Sequence, residues 1–543
     1  MASSKAPPPP RRARPVLAAV AALALAAATP PAWFAGAELL ALVGLGAWYA
    51  VATRSRRPAL WCFVLGAVHM AWFSWSLRHE FWVGLLLVAL IGGGYYALAV
   101  PWTRALRRLR VPGPIAFGTA VAGTFWLRAV MPGLHYPHGQ PVHDFYRWPQ
   151  LLGLLQWGGE GLANLWLAAA AAALVGAWRG WREARPPWRR ARVVFLVVWG
   201  LGAAATLLPP PRATASEPAA RVSILAIEPD LPVAWLLDPG GNRLIEERLI
   251  APTLRRAGAR APAPPDLVLW PETALPIQVD ATGRGDPRLA QRWRPPLARA
   301  TRLVAGTTAR FPGDRHTPVA VVLDAMGRVV GLQEKQRLVP AGEFIPFTGL
   351  LPTPVRRGLL DGITSVMGAA PDFLPGSPRP LPTTAAGTPF GALLCYDNCF
   401  PEVARGMVEA GARFLVVLSN EAWYHRGSEL EQMVAMTVCR ALENGTPLVR
   451  CTIDGPSVAI DARGRVVHQL SWQGPKGAES RFLLMDVDPG PGRRPPMAWL
   501  HEAFTLLIAL SGLALAWPRV ARWARLLRAL PSPERRGPPG SVP

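Results

Sequence analysis

The sequence predicts a polytopic α-helical membrane domain of about eight transmembrane helices joined to a single α/β domain. Apolar residues make up 51% of the 543 residues and charged residues only 17%, a balance that differs from ordinary soluble proteins. Long apolar runs fill roughly residues 1–208, and one more follows near 498–517. Residues 220–490, between them, have the mixed composition of a globular domain.

Eight apolar segments come close to the 20 or so residues that are needed to cross the hydrocarbon core of a bilayer. The predicted spans are 15–31, 33–52, 59–77, 81–101, 112–131, 159–177, 192–208 and 498–517. The first span also has features of a cleaved signal sequence, because arginines precede an alanine-rich stretch, and this alternative stays open. The spans divide the chain into an N-terminal membrane domain of about seven helices, a soluble domain, a C-terminal helix and a basic tail, at 1–210, 220–490, 497–518 and 519–543.

The placement of positive charge supports this division and orients it. Basic residues gather before the first span, in alternate loops after it and behind the last span. These segments contain 23 of the 58 basic residues but only two acidic residues, Glu183 and Glu534. Because basic loops stay on the cytoplasmic side, both termini are predicted to be cytoplasmic and residues 220–490 to lie outside, in the periplasm of a bacterium with two membranes. Although the pI is about 11.2, the charge lies beside anionic lipid headgroups, so no nucleic-acid partner is predicted.

Residues 220–490 have the pattern of an α/β domain. Ten short apolar segments, from "RVSILAI" to "RFLLMDV", alternate with helical stretches near 241–258, 286–300, 401–410 and 429–445. The turn sequences "DAMGR" and "DARGR" are expected to join neighbouring strands as hairpins, so the sheets should be mixed. Connectors rich in proline or glycine at 208–219 and 489–496 are predicted to link this domain to the membrane.

The segment "LLCYDNCFPE" at 393–402 contains the candidate nucleophile. Cys395 ends the predicted strand "PFGALLC", and Pro401 opens the following helix, which is the strand–turn–helix arrangement of a nucleophile elbow. The positive end of the helix dipole is expected to favour the thiolate of Cys395. Cys399, inside the turn, is predicted to pack. The alternative, in which both cysteines pack or form a disulfide in an oxidising compartment, stays open.

A thiolate nucleophile needs a carboxylate base and a cation near it. Glu272 in "LVLWPETALP" directly follows a predicted buried strand, although an exposed loop glutamate is the alternative. The chain contains only three lysines, Lys5, Lys335 and Lys476, and uses arginine almost everywhere else. Lys335 in "LQEKQRLVPAGEFIPF" therefore indicates a site that needs a compact ammonium rather than a wide guanidinium, unless its retention is accidental.

These three residues resemble the Glu-Lys-Cys triad of the nitrilase superfamily: Glu272 in "WPETALP", Lys335 in "EKQRLVPAGEFIPF" and Cys395 in "LLCYDNCFPE". With spans on both flanks, nearly the whole chain is similar to the apolipoprotein N-acyltransferase family, as the segments "FWLR", "LSNEAWY" and "CRALENGTPLVR" also indicate. The resemblance implies a four-layer αββα sandwich on the outer face of the bacterial inner membrane.

The resemblance also implies a two-step reaction without a cofactor or a metal. Cys395 would take an acyl chain from a phospholipid, phosphatidylethanolamine, and pass it as a thioester to the α-amine of a diacylglyceryl-cysteine apolipoprotein. Glu272 would be the general base and acid, and Lys335 with the backbone N–H of Tyr396 would hold the oxyanion. The supporting or substrate-binding positions that the resemblance implies are Glu343, Tyr396, Asp397, Trp235 and Trp423. The enzyme would act as a monomer.

Some positions depart from the family pattern. Asp397 stands where the family has glutamate after the Cys-Tyr pair, which puts its reach to Lys335 in doubt, and Glu421 stands where the family has aspartate. The first strand ends "AIEPD" instead of carrying the usual Gln-x-Asn motif. A membrane-tethered amidase or nitrilase, and a catalytically silent relative that acts as a lipid-binding scaffold, therefore stay as alternatives.

Two further segments carry predictions. His135, His138 and His143 in "LHYPHGQPVH" lack a carboxylate or cysteine pattern that completes a metal site, so we expect interfacial hydrogen bonding instead. Residues 344–375, which include "FIPFTGLLP", are predicted to form a mobile lid that dips into the membrane, with an ordinary packed loop as the alternative.

Overall fold

The structure is a computed structural model. It describes residues 13–29, 34, 36–80, 82–183, 188–207, 220–231, 241–258, 263–275, 278–280, 297–312, 315–367, 372–425, 427–470, 480–495 and 499–515.

Helices account for most of the described N-terminal region and for most of the C-terminal segment. They are α1 (Ala13–Ala28), α2 (Leu40–Arg54), α3 (Pro58–Phe73), the short α4 (Leu77–Glu80), α5 (Trp82–Arg108), α6 (Gly113–Val130), α7 (Leu154–Glu183), α8 (Trp188–Leu207) and, at the far end, α14 (Trp499–Ser511). A helix lies at each of the eight predicted spans. Their common core is built from small and aromatic side chains, with Trp48 stacked on Tyr96 at 4.2 Å between ring centroids.

Two of these helices, within the described residues, are long and apolar enough to cross a membrane by length and composition: Trp82–Arg108 and Leu154–Arg179. Four shorter apolar helices lie at Pro15–Ala28, Pro58–Phe73, Val193–Ala204 and Trp499–Leu515. The predicted total of about eight transmembrane helices therefore stays a prediction.

The α/β domain contains two mixed sheets. The described strands are β1 (Val222–Glu228), β2 (Leu267–Leu269), β3 (Gln278–Asp280), β4 (Arg302–Phe311), β5 (Arg315–Leu323), β6 (Val329–Glu334), β7 (Gly391–Leu394), β8 (Leu415–Ser419), β9 (Leu448–Thr452), β10 (Val458–Ile460), β11 (Val466–Gln469) and β12 (Arg481–Val487). The first sheet has the order β12-β1-β2-β4-β5-β6, with β3 paired to β4, and the second has the order β11-β10-β9-β8-β7. All ten predicted strands are present, and the two predicted hairpins join β5 to β6 and β10 to β11.

The two sheets stack face to face with helices outside them. Side chains such as Ile224 and Val304 of the first sheet pack against Leu394 and Val416 of the second in one buried cluster. The outer face of the first sheet is covered by α9 (Gly241–Ile245), a π-helical turn (Glu246–Ile250) and α10 (Ala251–Ala257). The outer face of the second is covered by α12 (Pro401–Glu409) and α13 (Glu429–Asn444). This arrangement is the predicted αββα sandwich.

The structure contains one helix that the sequence did not predict, and one predicted helix falls mostly outside the described residues. The apolar segment after Glu343 contains a helix that we did not predict, α11 (Thr353–Met367), whose N-terminal half is exposed. The apolar residues of α11 are interrupted by Arg356, Arg357 and two glycines. Because glycine disfavours the helix, the sequence of this segment gives only a weak helical pattern. Most of the predicted helix at 286–300 falls outside the described residues.

Helix α13 connects the sandwich to the N-terminal helices. All of its residues are buried, because one face packs on the second sheet and the other on the helical region. Its charged groups bond to the helical region: Arg440 to Glu160 of α7 at 2.6 Å, and Glu431 to the hydroxyl of Tyr146. The turn that contains Cys395, which packs beside α13, is therefore held close to the N-terminal helices.

Candidate active site

The three predicted catalytic residues follow three strand ends that meet at one edge of the sandwich. Glu272 follows β2, Lys335 follows β6 and Cys395 follows β7. The ammonium Nζ of Lys335 lies 2.9 Å from Oε1 of Glu272 and 2.6 Å from Oε1 of Glu343. All of these side chains except Glu343, which is slightly more exposed, are almost fully buried. The fold thus brings Glu272 and Cys395, which are 123 positions apart in the sequence, into one site.

Cys395 occupies a strained backbone position. It opens a 3₁₀ turn, Cys395–Cys399, with a φ of 43°, a left-handed conformation that costs a non-glycine residue of order 1–3 kcal/mol. Such strain is typical of a nucleophile elbow, in which a sharp turn presents the reactive side chain at the end of the strand. The turn separates Cys395 from α12, which begins only at Pro401.

The thiol of Cys395 is not predisposed to ionise, in contrast to our expectation from the helix dipole. Burial, followed by the negative charge of Glu272, raises the pKa of Cys395 to about 12, although the Lys335 ammonium and the Ser419 hydroxyl act in the opposite direction. The intervening 3₁₀ turn explains the difference, because a dipole acts mainly within the first turn of its helix. At neutral pH the thiol of Cys395 is therefore protonated, and it needs a base before it can act as a nucleophile.

Lys335 remains an ammonium in this site. Burial alone would lower its pKa, but the carboxylates of Glu272 and Glu343 together raise the pKa of Lys335 well above its usual value. Glu343 is held in turn by the backbone N–H of Val339, 2.9 Å from its second oxygen. Burial raises the pKa of Glu343, and Lys335 partly offsets this effect. A fixed positive charge thus lies beside the thiol.

Glu272 is aligned by its backbone and by close packing. Its second carboxylate oxygen accepts a hydrogen bond from the backbone N–H of Asn420 at 3.1 Å. Gly306 of β4 lies directly behind it, and a Cβ at that glycine would come within 2.5 Å of the Cα of Glu272. Thr273, the next residue, has a φ of 59°. A glycine in β4 is therefore required for this carboxylate to reach Lys335.

Asp397 links the turn that contains Cys395 to the segment of Lys335 through backbone hydrogen bonds. One carboxylate oxygen accepts hydrogen bonds from the N–H groups of Gln336 (3.0 Å) and Arg337 (2.8 Å), and the other accepts one from Leu394 at 3.2 Å. Burial raises the pKa of Asp397 to about 7, while Lys335 and these N–H groups lower it. The shorter side chain thus bridges the two segments without a direct hydrogen bond to Lys335.

The other predicted site residues have different environments. Tyr396 is buried, and its hydroxyl donates to the carbonyl oxygen of His135 at 2.9 Å. Trp423 is 46% exposed in a turn after β8. Trp235 lies outside the described residues. All five cysteines lie in the described part of the chain, where each is buried and free of a disulfide bond. Cys399 packs against the sulfur of Met433 at 3.5 Å, in agreement with its predicted packing role.

Three residues of the segment "LSNEAWY" also border the site, although the sequence did not predict them as site residues. Ser419 lies beside the Cys395 thiol, Asn420 holds Glu272, and Tyr424 packs in the cluster that contains Cys395. Glu421, which departs from the family pattern, forms a fully buried ion pair with Arg450. The sequence offers one signal for these residues, because the segment directly follows a predicted buried strand, as Cys395 does. In the structure these two strands, β7 and β8, are parallel neighbours, so the residues that follow them lie at the same edge of the sheet.

The predicted histidines lie between the helical region and the sandwich. His143 bonds to Glu160 at 3.0 Å, and the sulfur of Cys439 is close enough that the three ligand atoms lie within 4.8 Å of one another. The guanidinium of Arg440 also contacts this carboxylate at 2.6 Å. A carboxylate and a cysteine therefore lie beside His143, which differs from the expectation that neither would join these histidines. The same carboxylate belongs to a buried ion-pair network, because Arg440 pairs with both Glu160 and Glu443.

A buried lysine between two glutamates and beside a cysteine, on an αββα sandwich, defines a carbon–nitrogen hydrolase type of domain. Residues 239–485 match the family described as carbon-nitrogen hydrolase. Two solved structures are similar: Saccharomyces cerevisiae Nit3 of the nitrilase superfamily (16% identity, 54% of this chain, 97% of that chain, TM-score 0.35) and an amidase from Nesterenkonia sp. (22% identity, 53% of this chain, 97% of that chain, TM-score 0.33).

Proteins named apolipoprotein N-acyltransferase are similar over longer stretches. The Azotobacter vinelandii protein is 31% identical over 499 residues, covering 87% of this chain and 88% of that protein. The Geobacter metallireducens protein is 37% identical over 213 residues, 38% of each chain, and the Brucella melitensis protein is 30% identical over 300 residues, 54% of each chain. This chain belongs to the apolipoprotein N-acyltransferase family.

Proposed function

We propose that this protein is an apolipoprotein N-acyltransferase that uses Cys395, Glu272 and Lys335 as its catalytic triad. It transfers an acyl chain from a membrane phospholipid, phosphatidylethanolamine, through a thioester on Cys395 to the N-terminal amine of a diacylglyceryl-cysteine lipoprotein. The observation that carries the proposal is the Lys335 ammonium, bonded to Glu272 and Glu343 and adjacent to a buried neutral thiol.

Glu272 is the general base in this proposal. Lys335 is excluded because its raised pKa keeps it protonated. The charge of Glu272 raises the pKa of the Cys395 thiol more than that of Glu343 does, which supports Glu272 as the nearer carboxylate. Glu343 holds Lys335 and the backbone of Val339, so its role is to orient the ammonium.

In the first half-reaction, the sulfur of Cys395 attacks the ester carbonyl carbon while Glu272 accepts the thiol proton. The carbonyl oxygen becomes an oxyanion, which is stabilised by the Lys335 ammonium and the backbone N–H of Tyr396. When the tetrahedral intermediate collapses, the ester C–O bond breaks and Glu272 returns the proton to the leaving alkoxide. The products are a thioester on Cys395 and a lysophospholipid.

In the second half-reaction, the neutral α-amine of the lipoprotein attacks the thioester carbon. Glu272 accepts a proton from the attacking nitrogen, and the same two donors stabilise the second oxyanion. The C–S bond breaks, and the sulfur takes back a proton from Glu272. The amide product leaves, and the neutral thiol is restored for the next phospholipid.

The proposed location on the membrane follows from the hydrophobicity of the acyl chain. Moving about fifteen methylenes into water costs roughly 12 kcal/mol at ~0.8 kcal/mol each, a cost that an enzyme seated on the membrane avoids. Exposed side chains on the helices, such as Leu23, Trp82 and Leu196 at 66–68% exposure, support contact with lipid. We place the helices in the bacterial inner membrane with the sandwich in the periplasm, and the monomer as the functional unit.

The segment 344–375 is the proposed lid over the acyl chain. Its described apolar residues include Phe347, Leu350 and Val355, which are 54%, 83% and 55% exposed. Three exposed apolar side chains on one short segment next to Glu343 support a lid that dips into lipid.

Acylation of the purified full-length protein tests the proposal. Incubation with phosphatidylethanolamine that carries a labelled acyl chain should give a hydroxylamine-sensitive adduct that is lost in Cys395→Ser and kept in Cys399→Ser. Addition of a diacylglyceryl-cysteine peptide should then discharge the label as an amide. A wild-type protein that forms no adduct would exclude the acyltransferase, and discharge to water or ammonia alone would favour an amidase.

A further inference from the structure

The loop 131–140, which follows α6, reaches from the helical region into the candidate active site. Ring atom Nε2 of His135 lies 2.8 Å from the carbonyl oxygen of Leu338, three residues after Lys335. The carbonyl oxygen of His135 accepts the hydroxyl hydrogen of Tyr396, which directly follows Cys395. A single residue of this loop therefore bonds to both segments that carry the proposed oxyanion donors.

The ring of His135 also packs among aromatic residues of both segments. It stacks on Phe344, the neighbour of Glu343, at 6.0 Å between centroids. It meets Phe400 edge-on at 5.5 Å and Tyr396 at 5.9 Å. The polar contacts and the packing thus bring the same two segments together from the same side.

The loop 131–140 is hydrogen-bonded to α6, so its position is set by the helical region as well as by the sandwich. Arg128 of α6 is 1% exposed and donates a hydrogen bond to the carbonyl oxygen of His138. The N–H of Tyr136 returns a hydrogen bond to the carbonyl oxygen of Arg128 at 3.0 Å. The ring of His138 then stacks on Tyr396 at 5.8 Å.

The ring of His135 is neutral and carries its proton on Nε2. Burial lowers the pKa of His135, with the Leu338 carbonyl acting in the opposite direction and Arg337 acting in the same direction. A carbonyl oxygen only accepts hydrogen bonds, so Nε2 must be the donor. This contact does not require a charged histidine.

We propose that His135 is a positioning residue for the acylation step. It sets the distance between the segment of Lys335 and Glu343 and the turn of Cys395 and Tyr396, so that the ammonium and the Tyr396 N–H converge on one oxyanion. The inference rests on the proposed function, and it adds that the active site is incomplete without a loop from the helical region. Because a shift of about 1 Å in a catalytic group can cost about 100-fold in rate, a single hydrogen bond at this place affects turnover.

Two substitutions at His135 separate positioning from simple folding. His135→Phe keeps an aromatic ring among Phe344, Phe400 and Tyr396 but loses the N–H donor, whereas His135→Gln keeps a side-chain N–H that can reach Leu338. His468→Phe, on exposed strand β11, is the matched control. Each full-length variant is mixed with labelled phosphatidylethanolamine in detergent micelles, and thioester formation is followed in single turnovers.

We expect His135→Phe to lower the acylation rate at saturating phospholipid by about tenfold or more, with KM changed less than about twofold. His135→Gln should recover most of the wild-type rate, and His468→Phe should match wild type. A folded His135→Phe that acylates at the wild-type rate, or a folded His135→Gln as slow as His135→Phe, would overturn the inference. A wild-type protein that forms no thioester would instead overturn the proposed function.

Tyr396→Phe supplies an independent test if His135→Phe does not fold. It removes the hydroxyl that donates to the His135 carbonyl and keeps the backbone N–H of the proposed oxyanion site. We expect about a fivefold loss in acylation rate, with KM again changed less than about twofold, from one lost hydrogen bond of about 1 kcal/mol. An undiminished rate in folded Tyr396→Phe contradicts the proposed role of the loop.

Discussion

At the residue scale, the site depends on one compact positive charge between two carboxylates. Lys335 has Glu272 and Glu343 at 2.9 and 2.6 Å, and its side chain is 1% exposed. An ammonium can bond to both carboxylates and still direct a hydrogen at a developing oxyanion, whereas a planar guanidinium is wider and its donors are fixed in one plane. This geometry gives a physical reason for a lysine in a chain that otherwise uses arginine.

Lys335→Arg should abolish turnover, because the guanidinium cannot enter a site that closes around an ammonium without displacing Glu272 or Glu343. Lys476→Arg, the other lysine substitution in the same domain, should leave activity unchanged. The measurement is the steady-state rate of acyl transfer, with circular dichroism to check folding. Wild-type activity in Lys335→Arg would remove the argument from lysine usage.

Glu272→Gln should leave the fold intact and slow the first half-reaction. The amide can still accept the hydrogen bond from Asn420 but cannot take the thiol proton, and a general base contributes about 10²–10⁴-fold. A stopped-flow or quench assay of thioester formation measures the loss, with Glu409→Gln on the exposed end of α12 as the control. A rapid burst in Glu272→Gln would assign the base to another group.

At the scale of elements, helix α13 holds the sandwich on the helical region through buried charge. Arg440 contacts Glu160 at 2.6 Å, Glu443 at 2.8 Å and the carbonyl oxygen of Asn398 at 3.4 Å. Asn398 belongs to the turn of Cys395, so the same guanidinium joins α7, α13 and the nucleophile turn. Buried charges of this kind are costly to leave without a partner.

Arg440→Met should destabilise the protein by about 3–5 kcal/mol, because Glu160 and Glu443 lose their shared cation inside the protein. Arg405→Met is the matched control, since its pair with Glu502 is partly exposed and such pairs contribute about 0–1 kcal/mol. Thermal unfolding of the purified variants in detergent measures both effects. Equal unfolding midpoints for the two variants would show that the Arg440 network contributes little.

Substitutions in the exposed apolar segment before and within α11 should affect turnover only when the substrate is held in a lipid bilayer. Leu350→Asp and Val355→Asp should raise the KM for phospholipid in vesicles by about tenfold each, since burying such a side chain in lipid contributes about 1.5–3 kcal/mol. Leu484→Asp on β12, where the leucine is 63% exposed, is the control. A short-chain ester soluble in water should be turned over normally by all three variants. An unchanged KM for vesicles would favour an ordinary packed loop.

At the scale of the whole molecule, buried carboxyls tie stability to pH. Burial raises the pKa of Glu228 to about 8 and the pKa of Asp397 and Glu429 to about 7. The folded protein therefore binds these protons more tightly than the unfolded chain does. Their stabilising effect is complete below the unfolded pKa and is lost as the pH rises through the folded pKa, in a window of about pH 4 to 8.

The unfolding midpoint of the purified protein should accordingly fall as the pH rises from about 6.5 to about 8. Below this range the histidines oppose the carboxyls, because burial lowers the pKa of His138 to about 3 and stabilises the fold as the pH rises toward the unfolded pKa of about 6.5. Glu228→Gln should make this fall shallower, because a buried group with a raised pKa no longer titrates. Differential scanning fluorimetry at several pH values measures the slope. A midpoint that rises with pH over this range would contradict the assigned directions.

The sequence by itself determined the elements and the candidate site residues: helices at eight apolar segments, ten of the described strands, and the three residues Glu272, Lys335 and Cys395. These follow from local rules, because hydrophobic periodicity and rare residue types are readable along the chain. Only the tertiary structure decided how His135, Asn420 and Asp397 reach the site, and that the thiol of Cys395 is neutral. Burial and contacts between distant segments set these properties, and neither is encoded in a local pattern.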